Sequence, residues 1–308
     1  LVSDVPLGAF LSGGIDSSII VSIAARKVKH LNTFSIGFKD NPYFDETQYA
    51  KLVADRYKTN HTVFSISNEA MYENIFDLMD YIDEPFADSS AIAVYSLCQQ
   101  TRTKATVSLS GDGGDELFAG YNKHKAMYRF EQMKALNPLF ALATPIWNLF
   151  PQSRNSKMGN VFRQLSRYSE GAKLKADERY WRWCVFADEN TTATMFGKPM
   201  FSEAVMKARK QELYQLIDES DLNTSLLADM KMVLPNDMLT KVDLMSMANS
   251  LEVRTPLLDY TVVNFAFQIP FQYKLRNGVT KSILKDAFRA DLPEELFNRG
   301  KKGFEVPL

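Results

Sequence analysis

Cysteine and histidine are scarce in this 308-residue chain, with two of the first (Cys98, Cys184) and three of the second (His30, His61, His124). The cysteines lie far apart and match no metal or redox spacing. That excludes a disulfide framework or a Cys-x-x-Cys centre and fits a reducing, cytoplasmic compartment. The scattered histidines read as surface or packing residues. Charge of one sign is missing too: 36 basic against 37 acidic residues leave a net charge of −1, so no bulk field draws the chain to nucleic acid or a membrane. Long hydrophobic runs are absent. The most apolar stretch, 136–150, is interrupted by Pro138 and Pro145 and is too short to span a bilayer. No signal peptide, repeat or low-complexity segment is visible. The chain starts at Leu1 inside a strand-like pattern and stops at Leu308 just after a motif, so a longer parent polypeptide is expected. What remains is ordinary globular composition, 45% apolar and 24% charged, enough for a large core or two subdomains.

The first third alternates strand and helix. Strands are expected at 5–11, 33–38, 61–66 and 105–109, and helices from 15 to about 27 and over 45–57, 69–81 and 90–103. Strands separated by helices imply parallel βαβ units and a doubly wound sheet. Beyond Tyr121 the strand signal fades. Segments 179–186, 202–219 and 226–250 read as helices, the last kinked or broken at Pro235. The Met238, Met245 and Met247 face reads as core packing.

Phe10-Leu11-Ser12-Gly13-Gly14-Ile15-Asp16-Ser17-Ser18 joins the first strand to the first helix. Free amides and the positive end of the helix dipole make such a turn an anion site. Gly13 and Gly14 permit close backbone approach, and Ser12, Ser17 and Ser18 add donors. Asp16 would repel a phosphate unless a divalent cation bridges the two, so the loop reads as a holder of polyphosphate with Mg²⁺. It is neither a Walker A loop nor a Gly-x-Gly-x-x-Gly dinucleotide turn. A plain Ser/Gly turn with a helix cap is the bland alternative.

Ser110-Gly111-Asp112-Gly113-Gly114-Asp115-Glu116 repeats the design after the fourth strand. Ligands of open α/β sheets bind outside the carboxyl ends of strands, where strand order reverses. If the first and fourth strands are neighbours there, the two loops face each other across one crevice. Asp16 and Asp115 then hold one Mg²⁺ jointly, Ser110 and Gly111 present backbone groups to a nucleotide, and Asp112 lies close to a phosphoryl group. A mere turn or a calcium loop is the competing reading. The tail Arg299-Gly300-Lys301-Lys302-Gly303-Phe304 offers cations for departing phosphate, although a terminal Lys pair is usually solvated. Glu252-Val253-Arg254-Thr255-Pro256-Leu257-Leu258-Asp259 reads most simply as a helix end fixed by a Glu–Arg or Arg–Asp pair.

These segments, with Asp83-Glu84-Pro85 and Asp88-Ser89-Ser90, together resemble the synthetase domain of the asparagine synthetases, within the PP-loop ATP pyrophosphatases. The resemblance covers essentially the whole chain. It implies a doubly wound parallel five-stranded sheet of the adenine nucleotide α-hydrolase type with a largely helical C-terminal part, divided as 1–125 and 126–308. It also implies ATP in the crevice, with adenine and ribose near Leu11, Ile36, Ser110 and Gly111, and Mg²⁺ at Asp16 and Asp115. A substrate carboxylate, that of aspartate first, attacks the α-phosphorus to give an acyl-adenylate and pyrophosphate; ammonia then forms the amide and releases AMP. Lys301 matches the family's transition-state lysine, and Tyr121 and Glu252 match positions near the acyl group. Asp112 stands where the best-known members carry Glu, one methylene longer. Ammonia is expected from an N-terminal glutaminase domain of the parent chain, and a homodimer is compatible with the pattern. Same-fold rivals act on other carboxylates, as β-lactam synthetases, peptide cyclases or amidotransferases of surface sugars do. A non-catalytic nucleotide-binding module is the rival of another class.

Overall fold

The computed structural model describes residues 1–84, 86–153, 156–185, 187–196, 202–218, 220–299 and 306. Two compact units divide the chain: residues 1–115, 234–268 and 282–308 form unit 1, and residues 116–233 with 269–281 form unit 2.

Unit 1 is built on five strands, β1 Leu7–Phe10, β2 Asn32–Phe38, β3 Asn60–Ile66, β4 Val107–Leu109 and β5 Glu252–Arg254. All pair in parallel, in the order β3-β2-β1-β4-β5. Helices α1 Ile15–Ala24, α2 Thr47–Tyr57, α3 Asn68–Met79 and α4 Ala91–Arg102 make the crossovers. Alternation along β2 sends Phe34, Ile36 and Phe38 into one core with Ile92, Leu97 and Met245. The opposite face carries Thr33, Ser35 and Gly37, the last against Thr47 of α2. Helices on both faces bury β2 from Thr33 to Phe38, its small polar Thr33 and Ser35 as well as its apolar residues. Glu252–Arg254, expected as a helix end, is instead the edge strand β5. Three residues are too short a run for alternation to register as a strand signal.

The chain passes through the short α5 Gly114–Leu117 into unit 2. There it forms α6 Asn122–Gln132, α7 Asn137–Leu142, α8 Thr144–Trp147, α9 Lys157–Ala172, α10 Ala176–Cys184, α11 Glu189–Phe196, α12 Glu203–Tyr214 and α13 Asn223–Lys231. Its interior holds Tyr180, Trp183, Leu213 and Ala228 around a buried carboxylate. Asp229 accepts from Lys123 at 2.5 Å, His124 at 2.6 Å and Tyr180 at 2.5 Å. Burial alone would raise the Asp229 carboxyl, but Lys123 and His124 outweigh it and hold the group below its ordinary value.

Returning to unit 1, the chain makes a π-helical turn, Leu234–Leu239, before α14 Thr240–Met247. Pro235 lacks an amide hydrogen and interrupts the α-ladder, as its place in the sequence predicts. The Thr240 hydroxyl donates to the Pro235 carbonyl at 2.7 Å. Helix α15 Tyr260–Gln268 follows β5; α16 Phe271–Lys274 belongs to unit 2 and α17 Ser282–Ala287 to unit 1.

Candidate active site

Strand order reverses between β1 and β4, which are hydrogen-bonded neighbours with Leu7, Gly8 and Ala9 opposite Val107, Ser108 and Leu109. The loops that leave their carboxyl ends are therefore adjacent, at the point where open α/β sheets bind ligands.

The first loop turns through Gly13 at a φ of +73°, and a Cβ there would meet Tyr49 Cβ at 2.6 Å. Gly14 then caps α1 in an extended conformation without a side-chain bond. The first-turn amides of α1 have no intrahelical acceptors. Serine hydroxyls shape the loop. Ser12 Oγ accepts from the Gly14 amide at 3.2 Å and lies 3.0 Å from Ser17 Oγ, which donates to the Gly14 carbonyl at 3.3 Å. Ser18 is fully buried and its hydroxyl has no partner among the described residues.

The second loop lies directly on the first. A Cβ on Gly111 would stand 2.7 Å from the Ser17 amide nitrogen, and one on Gly114 would stand 2.5 Å from the Asp16 carboxylate. Gly113 turns between them at a φ of +88°. The Ser110 amide is committed to the Arg254 carbonyl at 2.8 Å, and its hydroxyl donates to the Asp112 carboxylate. Burial is the largest influence on Asp112 and raises its carboxyl. Ser110 and the Lys241 ammonium pull it down, Asp16 and Asp115 push it up, and the net is a raised value. Asp16, Asp112 and Asp115 thus share one electrostatic neighbourhood.

Among the described residues no three His, Cys, Asp or Glu side chains form a metal cage. Mg²⁺ in nucleotide sites takes one or two carboxylates and fills its shell from phosphate and water. With Asp16 held against the Gly114 backbone and the Ser18 hydroxyl orphaned, these residues fit Mg²⁺ carried in with a polyphosphate rather than an all-protein metal site.

Sequence reasoning gave no role to Lys241. It is 7% exposed, bonds Asp88 at 2.5 Å and acts on Asp112 electrostatically. Burial favours a higher pKa for Asp88, but Lys241 and the Ser90 amide prevail and lower it. A lysine four residues before the buried Met245 was the available signal, since that spacing puts it on the buried stripe of α14.

Leu11, just past β1, and Ile36, within β2, are buried; the Leu11 amide donates to the Phe34 carbonyl at 2.8 Å. Tyr121 lies in unit 2, where its hydroxyl donates to the buried Glu116 at 2.6 Å. Glu252 is not brought to the crevice. It opens β5 opposite Val107, at the end of the sheet away from the loops, where it is exposed and paired with Arg254 at 2.6 Å. Lys301 lies outside the described residues. Arg299, two residues earlier, pairs with Glu46 at 3.1 Å and stacks 4.4 Å over the Tyr49 ring, whose Cβ flanks Gly13.

The family model described as asparagine synthase matches residues 1–308. Asparagine synthetase [glutamine-hydrolyzing] 1 of Bacillus subtilis (strain 168) is 33% identical over 311 residues, covering 99% of this chain and 47% of the relative. Asparagine synthetase [glutamine-hydrolyzing] 3 of the same organism is 28% identical over 324 residues, covering 99% and 45%. A Methanocaldococcus jannaschii relative reaches 44% identity over 137 residues, 44% of this chain and 26% of its own length. The chain spans about half the length, 47% and 45%, of the two Bacillus relatives. It belongs to the asparagine synthase family.

Proposed function

We propose that this chain carries the ATP-dependent, carboxylate-activating half of amide synthesis, with the side chain of aspartate as the carboxylate. The observation that carries the reading is the contact between the two loops, Gly111 and Gly114 against Asp16 and Ser17 at the β1/β4 switch point. First-turn amides of α1 with the Ser12, Ser17 and Ser18 hydroxyls bind the terminal phosphates. Leu11, Ile36, Ser110 and Gly111 bound the adenosine. Asp16 and Asp115 would hold Mg²⁺, which supplies neutralisation of phosphate charge when bound.

The substrate carboxylate forms a bond to the α-phosphorus as the bond to the β-phosphate oxygen breaks, and pyrophosphate departs with that electron pair. Lys301, which matches the family's transition-state lysine, is assigned the role of stabilising the growing charge. Ammonia then attacks the acyl carbon, the bond to the AMP oxygen breaks, and the nitrogen loses a proton. Asp112, with its raised carboxyl, is suited to accept that proton. Ammonia derives from glutamine through a part of the parent polypeptide outside this chain, in keeping with its similarity to glutamine-hydrolyzing asparagine synthetases.

Pyrophosphate release from ATP with a panel of carboxylates, an ammonium salt as nitrogen source, tests the reading. Aspartate-dependent pyrophosphate and AMP in equal amounts are expected. ADP and orthophosphate, or no turnover with any carboxylate, would overturn it.

A further inference from the structure

The sequence reads His61 as a surface or packing residue, but on β3 both of its ring nitrogens have a partner from β2. Nδ1 lies 2.9 Å from the Thr33 hydroxyl and Nε2 lies 3.4 Å from the Ser35 hydroxyl. Thr33 Oγ1 is in turn 2.8 Å from Thr59 Oγ1. At the other end, the Ser35 hydroxyl donates to the Leu11 carbonyl at 2.5 Å. Thr33, Ser35 and Leu11 are all buried. The direction of this chain follows from its last acceptor. Ser35 has one hydroxyl hydrogen, and the Leu11 carbonyl can only accept, so Ser35 turns a lone pair to His61. Burial is the largest influence on His61 and lowers its imidazole from the ordinary 6.5. The Thr33 backbone and Asp55 raise it, Lys51 lowers it, and the net is a lowered value. The ring is therefore neutral at neutral pH and carries a single hydrogen. Assigned from this network, that hydrogen is on Nε2, and Nδ1 accepts from Thr33.

The chain ends on the peptide that opens the first loop. The Leu11 carbonyl and the Ser12 amide belong to one planar unit and point in opposite directions. On its far side the Ser12 amide donates to Ser17 Oγ at 3.3 Å. Holding the Leu11 carbonyl against Ser35 therefore aims the Ser12 amide at the hydroxyl that closes the loop. We infer that His61 is a positioning residue for the first loop: its Nε2–H orients the Ser35 hydroxyl, and through it the Leu11–Ser12 peptide from which the phosphate-binding turn departs. The inference rests on the reading of that loop as the phosphate site.

Heteronuclear magnetic resonance of the imidazole nitrogens, with calorimetric titration of ATP and magnesium, tests it. At neutral pH the native His61 ring should show a protonated Nε2 and a bare Nδ1. Ser35→Ala should release it into a mixture of tautomers. Ser35→Ala and His61→Phe should each weaken ATP binding about tenfold, as loss of a buried hydrogen bond does. The double variant should bind no more weakly than the worse single one, because both substitutions cut the same chain. His61→Gln should restore most of the binding, since its amide N–H stands where Nε2–H stood and its oxygen accepts from Thr33. His61→Asn reaches only the Nδ1 position and should not. Circular dichroism should stay native throughout. A native ring protonated at Nδ1, additive effects of the two substitutions, or a His61→Gln variant as weak as His61→Phe would overturn the inference. ATP binding unchanged in both single variants would overturn it too, and would leave the loop as the phosphate site. Absence of ATP binding by the native chain would instead overturn the reading of the loop, and the inference with it.

Discussion

Gly114 lies against Asp16 so closely that a methyl group on its Cα would come within 2.5 Å of both Cγ and Oδ1 of the carboxylate. No rotamer relieves a clash at the Cβ itself, so Gly114→Ala must displace either Asp16 or the second loop. Displacement of about 1 Å at a reacting site costs on the order of a hundredfold in rate. Gly114→Ala should therefore lower pyrophosphate formation by about two orders of magnitude while far-ultraviolet circular dichroism stays native. A variant with unimpaired turnover would show that the loop contact does not position Asp16 for catalysis.

Asp112 makes stability depend on pH in a defined direction. Its carboxyl is raised in the folded state, so the stability it contributes is complete below the ordinary carboxylate value of 3.8 and is lost as pH rises through the folded value. Asp112→Asn mimics the protonated form. It should raise the unfolding temperature at neutral pH, with the advantage shrinking towards acid. Paired melting curves across pH check this, and a lower unfolding temperature at neutral pH would contradict it.

The Lys241–Asp88 pair carries the opposite sign. Asp88 is lowered in the folded state, so its contribution is present above 3.8 and lost as pH falls through the folded value. Removing one partner of a mostly buried pair strands the other, at a cost of about 3 kcal/mol. Lys241→Met should therefore destabilise the protein in denaturant titrations at neutral pH, and the deficit should narrow in acid. A deficit that does not change with pH would place the effect in packing.

Lys301 and Lys302 are neighbours with different expected weights. Lys301→Ala should slow pyrophosphate formation roughly a hundredfold, as loss of one transition-state contact does, with little change in ATP affinity. Lys302→Ala should do little. Equal small effects of the two in single-turnover experiments would return both to solvated surface.

The α/β core was legible because β1 to β4 alternate with helices of clear 3.6-residue period, and both loops announce themselves by glycine, serine and carboxylate in short compass. The two loops leave the carboxyl ends of β1 and β4, where the pattern puts them. The edge strand β5 escaped because three residues carry no periodicity. Glu252 went astray for the same reason: once Glu252–Arg254 is a strand parallel to β4, its first residue must lie at the far end from the loops. Lys241 escaped because its partner, Asp88, is remote in sequence. Neither residue reveals the pairing alone.

The central claim is that a carboxylate oxygen attacks the α-phosphorus of ATP in the crevice between the two loops. Its most direct test uses aspartate carrying isotopically heavy oxygen in its side-chain carboxylate, with the nucleotide products examined by mass spectrometry. The account predicts one heavy oxygen in AMP and none in the released pyrophosphate, with transfer lost in Asp16→Asn. Heavy oxygen in orthophosphate, or unlabelled AMP alongside amide product, would contradict it.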